Sequence, residues 1–207
     1  MATMGPCLRP FKCAVTASLL AALPPALLHA QEPEPPPGLP AAPAGAAAPD
    51  REAELLARLA AAPDPDAARR IESELAALWS RSGSPALDLL LRRGQDALKA
   101  GEAAAAVEHL TAAIDHDPTF AEAYVARAAG FYLLNQPGPA LDDLREALVL
   151  NPHHWEAMKG FALLLEEIGR PEAALEVWRR VTEINPQDAI ARSSADRLAL
   201  SLEGRAI

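Results

Sequence analysis

Three Asx-Pro dipeptides, Asp117-Pro118, Asn151-Pro152 and Asn185-Pro186, are separated by 34 residues, twice over. A fixed period of that length means that one supersecondary unit is stacked on copies of itself, which restricts the chain to repeat architectures. Aligned on the prolines, three units run 87–120, 121–154 and 155–188. Their eighth positions are small (Gly94, Ala128, Ala162), as are their twentieth (Ala106, Ala140, Ala174). The twenty-seventh holds Ala113, Ala147 and Val181, whereas the twenty-fourth is large: Leu110, Leu144 and Trp178. Two helices approach closely only where side chains are small, and a large apolar residue then fills the gap to the neighbouring unit. Each unit therefore reads as a helix-turn-helix. Gly101, Asn135 and Gly169 stand at the turns, where positive φ is tolerated, while Pro137, Pro139 and Pro171 suit helix starts.

The flanks have different compositions. Arg9 and Lys12 precede an apolar stretch, Ala14 to Leu28, that ends in small residues near Ala30, the pattern of a secretory signal peptide. Pro24 and Pro25 interrupt it, leaving about ten helical apolar residues where a membrane span needs about twenty. Cleavage is expected after Ala30, within a bracket from Ala26, and retention as an anchor is the alternative. Cys7 and Cys13 both lie in this segment, so cleavage would leave no thiol, and Lys12 and Phe11 before Cys13 do not suit lipid attachment. Gln31 to Pro49 carries seven prolines and no basic residue, a composition that cannot bury a core and favours an extended spacer. From Asp50 the apolar period turns helical, with Leu55, Leu56 and Leu59, then Pro63-Asp64-Pro65, then Ile71, Leu75, Leu78 and Trp79. This predicts a helical hairpin over 50–84, capped by Asp64 or Asp66, with Ser84 capping the next helix and Trp79 packing between the hairpin and the segment after it. After Pro186, residues 189–207 read as a capping helix and tail, with Ile190, Leu198 and Leu202 inward and Arg192, Asp196 and Arg197 outward.

Small apolar residues dominate a composition that is 50% apolar and only 4% aromatic, and this favours helices throughout. The repeat resembles the tetratricopeptide repeat over about half the chain. It departs from that family's pattern at the fourth position, Leu90, Tyr124 and Met158 in place of Trp, and at the eleventh, where Ala97 and Leu165 flank the aromatic Phe131. The resemblance implies an all-α, right-handed solenoid of three repeats, preceded by the hairpin and closed by the capping helix. It also implies a concave groove lined by the first helix of each unit. In this sequence the groove positions are Asp88, Leu91, Gln95, Leu98 and Lys99; Glu122, Val125, Ala129, Tyr132 and Leu133; and Glu156, Lys159, Leu163, Glu166 and Glu167. Leu98 and Leu133 read as packing between helices rather than as groove residues. The chaperone-binding members of the family grip a C-terminal carboxylate with Lys and Asn; the equivalent positions here, Leu91, Gln95, Ala126, Glu156 and Gly160, lack that clamp.

Nothing in the sequence builds a catalytic site. G-x-S-x-G, H-E-x-x-H, P-loop and G-x-G-x-x-G motifs are absent, and Glu72 has no partner with which to act as the acid of a cell-wall hydrolase. His109, His116, His153 and His154, with Asp115 and Asp117, lie near one loop edge but lack the i, i+4 spacing that pre-forms a metal site, so no metal and no cofactor is expected. Asp142-Asp143 and Glu166-Glu167 read as solvated faces. The formal charge is −9, and loss of Arg9 and Lys12 with the leader would take it to −11; with no basic patch, nucleic acid is not an expected partner. The expectation is a non-catalytic protein-binding adaptor or scaffold, exported to the periplasm. A structural subunit of an envelope assembly, attached through the hairpin, is the alternative, and self-association is left open.

Overall fold

The computed structural model describes residues 47–204, and the expected export signal, nearly all of the Pro-rich segment and residues 205–207 lie outside them. Within that span the chain forms α1 (Ala47–Ala60), α2 (Pro65–Trp79), α3 (Pro85–Lys99), α4 (Ala103–His116), α5 (Ala121–Leu133), α6 (Pro137–Leu150), α7 (Trp155–Glu167), α8 (Pro171–Ile184) and α9 (Ala189–Glu203). The first helix begins three residues before Asp50 and takes Pro49 into its first turn, where a missing N–H is tolerated. Among the described residues no helix is long and apolar enough to cross a membrane.

The repeating dipeptide has a clear local cause. Each Asx residue opens a turn in which its carbonyl accepts the N–H three residues on: Phe120 to Asp117 at 3.2 Å, His154 to Asn151 at 3.2 Å and Asp188 to Asn185 at 3.1 Å. Its side-chain oxygen accepts a second N–H, from Thr119, His153 or Gln187. Proline comes next because its fixed φ suits the first central residue of such a turn. The tighter turn inside each unit is closed by the N–H of Glu102 on Ala97 (2.8 Å), Gln136 on Phe131 (2.9 Å) and Arg170 on Leu165 (2.8 Å). Gly101, Asn135 and Gly169 sit at its centre with φ of 78°, 57° and 75°, the left-handed cap that frees the helix C-terminus from unpaired carbonyls.

Within each unit the two helices pack antiparallel, and each second helix packs on the first helix of the next unit. All the small residues at the eighth, twentieth and twenty-seventh positions are buried, as are Leu110, Leu144 and Trp178 at the twenty-fourth. At Gly94 the packing is tightest, since a Cβ there would come within 2.5 Å of Leu110 Cγ. A half-buried ion pair also ties the second unit together. Arg127 on α5 donates through Nε and Nη2 to the two carboxylate oxygens of Asp143 on α6, both at 2.8 Å, and through Nη1 to Thr111 on α4. Asp143 is therefore structural and not part of a solvated face; Asp142 beside it is exposed and pairs with Arg145.

The hairpin departs most from expectation. Asp64 caps α2 by accepting from Ala67; Ser84 is the N-cap residue of α3 as expected, without a side-chain capping bond, and Asp88 accepts from the amide and hydroxyl of Ser82. Leu55, Leu59, Ile71 and Leu75 are buried in one cluster with Trp155, Met158, Trp178, Val181, Ala191 and Leu198, and α1 packs on α8, so the hairpin docks on the third unit. Trp79 does not pack against α3. Its ring stacks on His154 at 4.6 Å and lies tilted on Trp155 at 4.9 Å. At the other end Gln187 donates to the Ala62 carbonyl at 2.9 Å, and Asn185, fully buried, donates to Glu72. The capping helix presents Ala191, Ala195, Leu198 and Leu202 to the repeat; Ile190, one residue and 100° away from that stripe, is exposed.

Candidate functional site

The first helices of successive units, α5 and α7, both line a cleft of about 360 Å³. Successive turns of each helix face it: Val125, Ala129 and Tyr132 from α5, and Glu156, Gly160, Leu163 and Glu167 from α7. Ala128, Leu144 and Leu164 complete the lining. Room for it comes from the absence of a side chain at Gly160, where a Cβ would already press on Leu144 at 3.3 Å. Among the lining residues, Tyr132 and Leu163 are 55% and 56% exposed.

Of the expected groove residues, this cleft gathers Val125, Ala129, Tyr132, Glu156, Leu163 and Glu167. Those of the first unit stay apart from it. Leu91 is 2% exposed and belongs to the apolar cluster with Leu110, Ile114, Phe120 and Ala123, covered by the start of α5. Asp88 is held by Ser82, whose hydroxyl and amide keep its carboxyl below the ordinary carboxylate range. Gln95 is half-buried, and exposed Lys99 lies 3.1 Å from Asp96.

Three further members are engaged inside the protein. Glu122 lies 2.9 Å from His154 Nε2, and because His154 Nδ1 accepts the Ala157 amide as the cap of α7, the ring proton sits on Nε2 and is donated to the carboxylate. Lys159 donates to Asp188 at 2.8 Å, and Asp188 also caps α9 through the Ala191 amide. Burial pushes the Asp188 carboxyl up, but its hydrogen bonds to Lys159 and Ala191 and the Lys159 charge outweigh that and hold it below its ordinary value. Glu166 accepts from Trp178 Nε1 at 2.8 Å and from Arg197 at 2.7 Å, which turns it toward α8 and α9. The regularly spaced acids Asp88, Glu122 and Glu156 thus end in three different situations, and only Glu156 is exposed.

A second, more polar hollow of about 270 Å³ lies next to the cleft and shares Val125 and Glu156 with it. Its other walls are Glu72, Ser73, Ala76 and Trp79 of α2, with Glu122, His154 and Trp155. The hairpin therefore bounds one end of the cleft, a role that no pattern local to residues 65–79 announces. Among the described residues no group of three or more His, Cys, Asp or Glu side chains is arranged to hold a metal. His154 is committed to Glu122 and to Trp79.

No protein-family model matches the chain. A TPR repeat-containing protein of Rhizobium etli is 30% identical over 151 residues, which are 73% of this chain and 74% of that protein. Among solved structures, the first TPR of Spaghetti bound to the HSP90 peptide SRMEEVD superposes with a TM-score of 0.55 at 22% identity, covering 58% of this chain and 95% of that one, a likeness of fold alone. The TPR domain of Arabidopsis OM64 gives 0.54 at 25% identity, over 56% of this chain and 96% of that one.

Proposed function

Because the chain belongs to the tetratricopeptide-repeat family, we propose that it is a non-catalytic adaptor of the cell envelope, holding a peptide or helix of a partner protein in the α5–α7 cleft. One observation carries the reading: Tyr132 and Leu163 stand more than half exposed on either side of a preformed cleft. Large apolar side chains held in water over a rigid depression gain by being covered, and a surface that needs no reordering loses little entropy when it binds. The first TPR of Spaghetti, a protein of this fold, binds a peptide. The envelope setting rests on the signal-like pattern of residues 1–30.

Attachment of the chain to an assembly through its hairpin is less well supported. The apolar faces of α1 and α2 are buried against the third unit, which leaves little of them to offer a partner. The test is a photo-crosslinking residue placed in cells at Tyr132, Leu163 or, as a control on α9, Ile190, with intact mass giving the mature N-terminus. A discrete protein adduct from the first two positions and a start near Gln31 are expected. Adducts from Ile190 alone would remove the cleft assignment, and a retained Met1 would remove the exported, cleaved form.

A further inference from the structure

Resting on that cleft reading, we propose that the occupant is a cationic amphipathic segment, an apolar side chain seated over Gly160 with Lys or Arg flanking it to meet Glu156 and Glu167. The apolar part of the cleft lies between Val125, Ala129, Tyr132 and Leu163, and its lining includes two carboxylates and no Lys, Arg or His. The basic residues carried by the two helices are already neutralised: Arg127 by Asp143 and Lys159 by Asp188. Both Glu156 and Glu167 are exposed, and unlike Glu122 and Glu166 they hold no hydrogen bond or ion pair among the described residues.

Backbone charge acts in the same direction at one end. Glu167 closes α7, and neither α5 nor α7 carries a basic residue in its own last turn; Arg197 of α9, which reaches that end of α7, is taken up by Glu166, which leaves the C-terminal backbone charge beside Glu167 to add to its carboxylate. Eleven residues separate the two acids, which places them on one face of α7 about 16 Å apart. Five residues of extended chain or three turns of helix span that distance. At the Glu156 end the segment meets α2, since Val125 and Glu156 also border the hollow walled by Ser73, Ala76 and Trp79. An acidic segment would bring like charges together in a cleft with no cation to receive them, and electrostatic complementarity discriminates among partners more than it adds affinity.

The experiment uses the purified exported chain and two synthetic 14-residue peptides. They share the same leucine and alanine positions and carry either lysines or glutamates at the flanking sites. Binding is followed by amide shifts of the labelled chain and by anisotropy at low and high salt. The lysine peptide is expected to shift Ala129, Gly160 and Leu163, to bind at least tenfold tighter than the glutamate peptide, and to weaken as salt rises. Combined Glu156→Lys and Glu167→Lys should reverse the preference with helicity unchanged; Glu156→Gln with Glu167→Gln, a milder change in case the reversal unfolds the chain, should abolish it. Equal binding of both peptides in the cleft, or a preference that survives these variants, overturns the charge assignment while leaving the cleft intact. Shifts confined to another surface overturn the cleft as well, and binding by neither peptide at millimolar concentration overturns the charge assignment, with crosslinking at Tyr132 deciding the cleft separately.

Discussion

Asp142 and Asp143 are adjacent on α6, and a helix turns about 100° between them, so one faces water and the other faces Arg127. The exposed pair Asp142–Arg145 is screened, and Asp142→Ala should change stability by no more than about 0.5 kcal/mol. Asp143→Ala leaves the half-buried guanidinium of Arg127 without its bidentate acceptor, and the expected loss is about 1–3 kcal/mol. Urea midpoints of the two variants check this, and equal shifts would mean that the ion pair contributes nothing. The sequence did not distinguish the two residues because only their angular position relative to α5 does. Small residues were easier to read. Gly94 recurs as Ala128 and Ala162, and a repeated small residue reports a close approach that a single glycine cannot.

At the scale of elements, a helix's apolar stripe can be read from its own residues, but not what covers that stripe. The stripe of α2 was legible in Ile71, Leu75 and Trp79; its destination on His154 and Trp155, in the third unit, was not. The same limit applies to the groove: the fifth position is buried at Leu91, lines the cleft at Val125 and is ion-paired at Lys159, because three equivalent helices have different neighbours. Because Trp79 packs on His154 and Trp155, Trp79→Ala should speed amide exchange in α7 and α8 and leave α3 unchanged; faster exchange in α3 instead would place the hairpin on the first unit. The α7–α9 junction adds a pH dependence of known sign. Asp188 titrates lower folded than unfolded, so its stabilisation is complete above its unfolded pKa, near pH 4, and is lost as pH falls through the lower folded value. Asp188→Asn should therefore destabilise the chain at neutral pH and flatten the acid limb of its stability profile below pH 4. An unchanged profile would mean that the Lys159 contact is absent in solution.

For the molecule as a whole, the consequence of a repeat core is that stability and recognition reside in different side chains. The stabilising set is the buried ladder of small and large residues, each unit bonded chiefly to its neighbours, so damage in one unit propagates through nearest-neighbour interfaces. The recognition set, Tyr132 and Leu163 above all, is exposed and adds little to folding. Leu91→Ala should cost about 2–5 kcal/mol, because it removes a buried side chain from the cluster beneath α5, yet a sample kept below its lowered midpoint should still capture a partner in the cleft. Tyr132→Ala with Leu163→Ala should move the thermal midpoint by only a degree or two while weakening capture about tenfold or more, as loss of central apolar anchors does. Measuring the midpoint and capture of the same crosslinkable partner on both variants separates the two sets. If both properties fell together in either variant, the cleft would be part of the folding core, and the exposed residues over it would need another explanation.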